Sequence, residues 1–154
     1  MNVHPAPVAG RILALDLGQR RIGVAVSDEL RLTAQGLDTL ECRTEREDLD
    51  RLAHLIEEKD VVLVVVGNPI RMDGAEGRRS EWARRFAEKL QRRTGRPVIL
   101  WDERLTTKSA ERVLRSSGIS RAKRSRAADR LSAVLLLSSY LEALAASPQT
   151  AGSA

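Results

Sequence analysis

Apolar residues fill positions 12–15, give way to Asp16, and return at Leu17; a second run, Ile22-Gly23-Val24-Ala25-Val26-Ser27, begins after only Gly18-Gln19-Arg20-Arg21. Runs this short around a polar tetrad predict two strands, at about 12–17 and 22–27, joined as a hairpin. The polar Asp28-Glu29 then leads to a third strand expected around 33–41. Between Glu45 and Lys59, Leu49, Leu52, Ala53 and Ile56 recur at helical spacing, the signature of an amphipathic helix. Val61–Val66 is unbroken by polar residues, as in a strand covered on both faces, so it is expected to be central and parallel; Gly67-Asn68-Pro69 marks its end. A stripe of Trp82, Phe86 and Leu90 predicts a helix that Thr94-Gly95 terminates ahead of a strand at 97–102. A short helix is expected near 107–116, then a basic loop containing Gly118, then a last helix at about 127–145, apolar at Leu131, Val134, Leu135, Leu137, Leu141 and Leu144. In this order the elements predict an α/β fold. Its mixed five-stranded sheet has three antiparallel strands first, helices on both faces and a right-handed parallel crossover. Residues 11–145 form the expected domain, with flexible tails at 1–10 and 146–154.

Composition narrows the picture. The 154 residues suffice for one core without disulfides or structural metal. Cys42 is the lone cysteine, and no Cys/His spacing suggests zinc. No apolar run approaches a membrane span, and Met1–Pro5 lacks the blocks of a signal peptide, so a cytoplasmic protein with no membrane partner is expected. Of the 26 basic residues all but Lys59, Lys89, Lys108 and Lys123 are arginine, and the net charge is +5. Arginine suits planar pairing with phosphate, although a biased genome would give the same composition. Clustering is more informative: Arg115, Arg121, Lys123, Arg124 and Arg126 share one stretch free of acids that ends just before Asp129.

The acids suggest the chemistry. Asp16 ends an apolar strand, where a buried carboxylate needs a cation. Asp102-Glu103 ends another, and Asp129 lies in the last helix. Together they outline an oxygen-only site for Mg2+ or Mn2+, ions that can activate water and stabilise both attacking and leaving oxygens of a phosphodiester. Side chains alternate along a strand, so Asp102 travels with Val98 and Leu100 whereas Glu103 travels with Ile99 and Trp101; only one of the pair faces Asp16. The competing reading is a set of surface ion pairs: Asp16 with Arg20 or Arg21, Glu103 with Arg104, Asp129 with Arg126. Spacing does not choose between them. His4 and His54 gain no role, the few aromatics fit core packing better than base stacking, and Gly18 and Gly23 suit turn geometry as well as close phosphate approach. No GxGxxG or GxxxxGK[ST] phosphate loop is present.

Residues 14–28 (Ala-Leu-Asp-Leu-Gly-Gln-Arg-Arg-Ile-Gly-Val-Ala-Val-Ser-Asp), Val66-Gly67-Asn68-Pro69 with Met72-Asp73-Gly74, Asp102-Glu103-Arg104-Leu105-Thr106-Thr107, and Asp129 before an Ala/Leu-rich helix together resemble the YqgF/RuvX family. The likeness covers about residues 11–143. It implies the RNase H-like fold of RuvC-type resolvases and a nuclease acting on precursor 16S rRNA or on Holliday junctions. Asp16, Glu103 and Asp129 would then be metal-binding catalytic carboxylates, with Asp102 replacing Glu103 if the register is off by one. Arg104, Thr106 and Thr107 would lie near the substrate backbone, and Arg115, Arg121, Lys123, Arg124 and Arg126 would hold flanking phosphates. Expected partners are precursor rRNA or branched or single-stranded DNA, with the ribosome a further candidate and the protein a monomer or homodimer. Asn68 stands where many relatives carry an apolar residue. The rival classes are a non-cutting rRNA-binding assembly factor, a junction-cutting DNA endonuclease, and an actin-like or sugar-kinase ATPase, which would need two such domains.

Overall fold

The computed structural model describes residues 9–71, 73–105 and 121–146, side chains at 105 and 121–125 excepted. Strand alternation sorts the central residues into two layers. β1 (Arg11–Leu17) sends Leu13, Leu15 and Leu17 to one face and Ile12, Ala14 and Asp16 to the other. β2 (Arg21–Ser27) runs antiparallel to β1, with Asp16 directly opposite Gly23. β3 (Ala34–Gly36) lies beyond β2, and β5 (Val61–Asn68) and β6 (Val98–Asp102) add parallel strands beyond β1, giving the order β3-β2-β1-β5-β6. This is the mixed α/β sheet that the pattern predicts, with antiparallel strands first and the apolar run Val61–Val66 of β5 inside it.

The expected third strand is split. β3 (Ala34–Gly36) and β4 (Leu40–Glu41) both pair with β2, making a six-stranded sheet. Gly36 sits opposite Ala25 and Leu40 opposite Ile22, so Leu37, Asp38 and Thr39 face only Gly23 and Val24. One extra residue interrupts the ladder as a bulge does. It leaves Asp38 outside the sheet, where its carboxylate accepts from Arg130 at 2.9 Å.

α1 (Glu45–Glu58) starts where the Thr44 hydroxyl accepts from the Glu47 N–H, with Glu45, Glu47 and Asp48 at its positive end. α2 (Arg78–Thr94) ends at Gly95, whose φ of 71° closes the helix onto the Gln91 carbonyl, as the Thr94-Gly95 pair foretells. Both helices pack on the Leu13/Leu15/Val64/Val66 face through Leu49, Leu52, Ile56, Phe86 and Leu90.

The last helix, α3 (Arg121–Ala146), covers the other face with Ala133, Leu136, Leu137, Tyr140 and Leu141 against Ile12, Ala14, Ala25, Leu63 and Val65. It begins earlier than the apolar pattern implies: residues 121–126, read as the end of a basic loop, are helical. Apolar periodicity starts only near 127, but Arg, Ala and Lys are good helix formers and need no buried face to extend a helix begun elsewhere. Trp101 from β6 lies under this helix, its Nε1 donating to Ser139 Oγ at 3.1 Å and its ring edge-on to Tyr140 at 5.2 Å. That confirms core packing for these aromatics. The expected helix near 107–116 and the residues 1–8 and 147–154 of the expected tails lie outside the described residues. Among the described residues no helix is long and apolar enough to cross a membrane.

Candidate active site

The carboxyl ends of β1, β5 and β6 point the same way, and on the α3 face they meet Asp16, Gly67 and Glu103. Strand parity settles the choice left open between neighbouring acids. Trp101 is buried in the α3 layer and Leu100 packs against the opposite one, so the residue two beyond Trp101 turns toward Asp16. That residue is Glu103, first in a 3-10 turn over Glu103–Leu105. Its carboxyl is within hydrogen-bonding reach of Asp16 and is pushed up to about 9, first by burial, then by the hydrogen bond to Asp16 and by its charge; Arg79 pulls the other way. Two carboxyls this close share a proton when no cation intervenes.

Gly67 makes the approach possible. A Cβ there would lie 2.5 Å from Glu103 Oε1, so the end of β5 has to be bare for the glutamate to fold over it. Gly23 does the same for the third acid: a Cβ on β2 would overlap the backbone carbonyl of Asp129. It is therefore a mid-strand close-approach glycine and no turn residue. α3 comes down onto β2 at that point, placing Asp129, four residues before buried Ala133, beside the Asp16–Gly23 pair.

Asp129 is held by Arg21, whose Nε donates to Oδ2 at 2.8 Å; the side chains are 30% and 22% exposed, respectively. Burial raises the Asp129 carboxyl, Arg21 opposes this, and the charge of Asp16 adds to the rise. Asp16 thus acts electrostatically on both other acids. As they stand, however, no three acidic, histidine or cysteine side chains among the described residues converge closely enough to hold one ion.

The ion pairs differ from those expected of a surface arrangement. Arg21 pairs with Asp129 instead of Asp16, Arg126 lies 3.7 Å from Glu41 instead of on Asp129, and Arg104 grips Asp102 instead of Glu103. The Arg104 guanidinium and backbone N–H all bond the Asp102 carboxylate. Burial raises the Asp102 carboxyl but the Arg104 contacts outweigh it and hold it below its usual range. Asp102 is thus occupied in fixing the turn that aims Glu103, and the exposed Arg104 is its partner.

Two cations flank the acids: Arg79, which the sequence reading passes over, and Arg21, which it weighs only as a surface partner of Asp16. Arg79, in the first turn of α2, reaches back to the Leu17 carbonyl at 3.5 Å and faces Glu103. Arg21 could have been found by parity, since it shares the α3 face with Gly23, opposite Asp16. Asn68 gains a purpose: buried, it accepts a short hydrogen bond from Ser80, tying the end of β5 to α2 beside Arg79. His54 is solvent-exposed beside Glu58. Thr106, Thr107 and Arg115 lie outside the described residues, as do the side chains of Arg121, Lys123 and Arg124.

This is the fold of the RNase H-like resolvases. RuvC of T. thermophilus, solved with a Holliday junction substrate, matches with a TM-score of 0.57 at 17% identity, covering 90% of this chain and 98% of that one. The fowlpox virus Holliday junction resolvase matches with a TM-score of 0.55 at 14% identity, covering 87% and 99%. Within that class the chain belongs to the RuvX family, described as Holliday junction resolvase, which residues 10–143 match. A relative from Koribacter versatilis is 52% identical over 90% of this chain and 91% of its own length. One from Geobacillus kaustophilus is 51% identical over 86% and 97%. Both bear the provisional name pre-16S rRNA nuclease.

Proposed function

We propose that this chain is a divalent-metal-dependent nuclease that trims precursor 16S rRNA at its 5′ end in the cytoplasm, with Asp16, Glu103 and Asp129 as its acidic residues. The observation that carries the reading is the Asp16–Glu103 contact. A fold gains nothing in stability by driving two carboxyls together in a half-buried site, since one must stay protonated or both must meet a cation. Oxygen-only donors on a strand end and a following turn suit Mg2+ or Mn2+. A bound divalent ion supplies a water of lowered pKa and neutralises charge on the scissile phosphate.

The chain's own residues do the remainder. Asp16 and Glu103 would hold the ion, and Asp129 would complete the set from α3. Asp102 and Arg104 keep the 103–105 turn aimed. Arg79 stands where a strand crossing the sheet edge would bring its phosphates. Arg115, Arg121, Lys123, Arg124 and Arg126 would hold flanking phosphates, giving affinity that falls with salt and says little about sequence. A non-cutting rRNA-binding factor is disfavoured, because three acids facing phosphate weaken binding unless they hold a cation.

The rRNA substrate rests on the names of the close relatives. Four-way DNA is the second reading, favoured by the fold of junction-bound RuvC. A symmetric dimer would be needed to cut two strands in concert. A cleavage assay with manganese against EDTA, on matched precursor rRNA, single-stranded DNA and junction DNA, separates them. Cutting of rRNA alone supports the processing role and cutting of junctions alone the recombination role; undiminished cutting by Asp16→Asn defeats both.

A further inference from the structure

Asp129 is aimed at Arg21 while the other two acids are aimed at each other. The Asp129 carboxylate is oriented by one Arg21 bond, and no three acids among the described residues yet share a point. The same guanidinium lies on the α3 face of β2, two residues from Gly23, which pairs with Asp16. An arginine there is a ready phosphate ligand, because its planar fork bonds phosphate at least as well as carboxylate. We propose that Arg21 is a positioning residue that exchanges partners. Without nucleic acid it holds Asp129 away from the ion site; a backbone phosphate of the bound strand takes over the guanidinium and releases Asp129 toward Asp16 and Glu103.

The inference rests on the metal-nuclease reading above and adds a coupling to it. Metal and strand then bind cooperatively, and by linkage each tightens the other by the same factor. The size of that factor is bounded by the Arg21–Asp129 pair. A partly exposed ion pair of this kind withholds roughly twofold to fivefold in affinity.

The test is Mn2+ binding, measured by calorimetry or by the spin signal of free manganese, with and without a short phosphorothioate RNA that resists cleavage. Arg21→Gln is expected to bind Mn2+ roughly twofold to fivefold more tightly than wild type in the absence of RNA, and the enhancement caused by RNA is expected to fall by the same factor. Arg130→Gln removes an equal charge one residue along α3 from Asp129, from an arginine that pairs with Asp38. It serves as the control for simple electrostatics and should leave the RNA enhancement intact. Arg21→Lys, which retains a pairing cation, stays close to wild type and covers the case in which the glutamine variant folds poorly. The exchange is overturned if Arg21→Gln binds Mn2+ no more tightly than wild type, or if Arg130→Gln reproduces both of its effects. Wild-type protein that takes up no Mn2+, or takes it up equally after Asp16→Asn, defeats the metal-nuclease reading itself.

Discussion

The two faces of one sheet are built from alternate residues of the same strands, yet they solve different problems. Under α1 and α2 the layer is large and branched: Leu13, Leu15, Ile22, Val24, Val64, Val66 and Phe86 fill it, and the buried acids at its margin, Asp48 and Asp102, are each held by an arginine, Arg51 and Arg104. Under α3 it is smaller, with Ala14, Ala25 and Ala133 in its middle and bare glycines at 23 and 67 where the acids close in. The first face excludes water with bulk; the second brings backbone and carboxylates together by leaving bulk out. Stability and chemistry are thereby assigned to opposite sides of a single layer of strands, and each side can be perturbed separately.

The largest expected effect lies on the bulky face. Leu52→Ala should cost about 2–5 kcal/mol in chemical denaturation, while cleavage per folded molecule stays at the wild-type rate. A drop in that rate would show that the two faces are coupled. On the other side, Asp16→Asn should lower cleavage by about 10²–10³-fold or more, with nucleic-acid binding unchanged or tighter in a mobility-shift assay. Melting should be largely unharmed, since one repelling charge has been removed.

Gly23→Ala probes the boundary between the two designs. Its methyl meets the Asp129 carbonyl, a backbone atom that cannot rotate aside, so the helix must lift. We expect a loss of about 1–3 kcal/mol together with a loss of activity, measured by melting and by turnover on the same preparation. The combination distinguishes it from Leu52→Ala, where only the first appears.

The remaining effect is a pH dependence. Glu103 titrates near 9 in the folded chain against an ordinary 4.5, so the folded state keeps a proton that the unfolded chain has released. Its contribution is complete below about pH 4.5 and disappears as the pH climbs toward 9. The melting temperature of metal-free protein should therefore fall across that window, by about 2–4 °C for each kcal/mol lost. Glu103→Gln, which cannot ionise, should show a shallower slope, and added Mn2+ should restore the wild-type melting temperature most strongly at the alkaline end.

Much of this was legible in the sequence because burial on one or both faces leaves a period in the residues. The apolar run at 12–15, the solid run at 61–66 and the helical stripe through Trp82, Phe86 and Leu90 translate directly into β1, β5 and α2. Where apolar period is absent the reading fails. The bulge at 37–39 leaves no mark because its extra residue faces outward, and the basic start of α3 has no apolar stripe to announce it. At the site, the identities of Asp16, Glu103 and Asp129 stand out, but their partners depend on which face each residue occupies. Arg21 could have been assigned by counting parity along β2. Arg79 and Ser80 could not, since nothing in the chain indicates that the first turn of α2 lies over the end of β1.

Trp101, wedged between the sheet and α3 two residues before Glu103, gives the protein an optical gauge of its own catalytic end. The only other indole, Trp82, sits in the opposite layer beside Phe86, 6.5 Å between ring centres. Replacing Trp82 with phenylalanine would leave a single emitter bonded to Ser139 and stacked edge-on against Tyr140, so a sliding of α3 as Asp129 changes partner would register as a colour shift, without any attached dye.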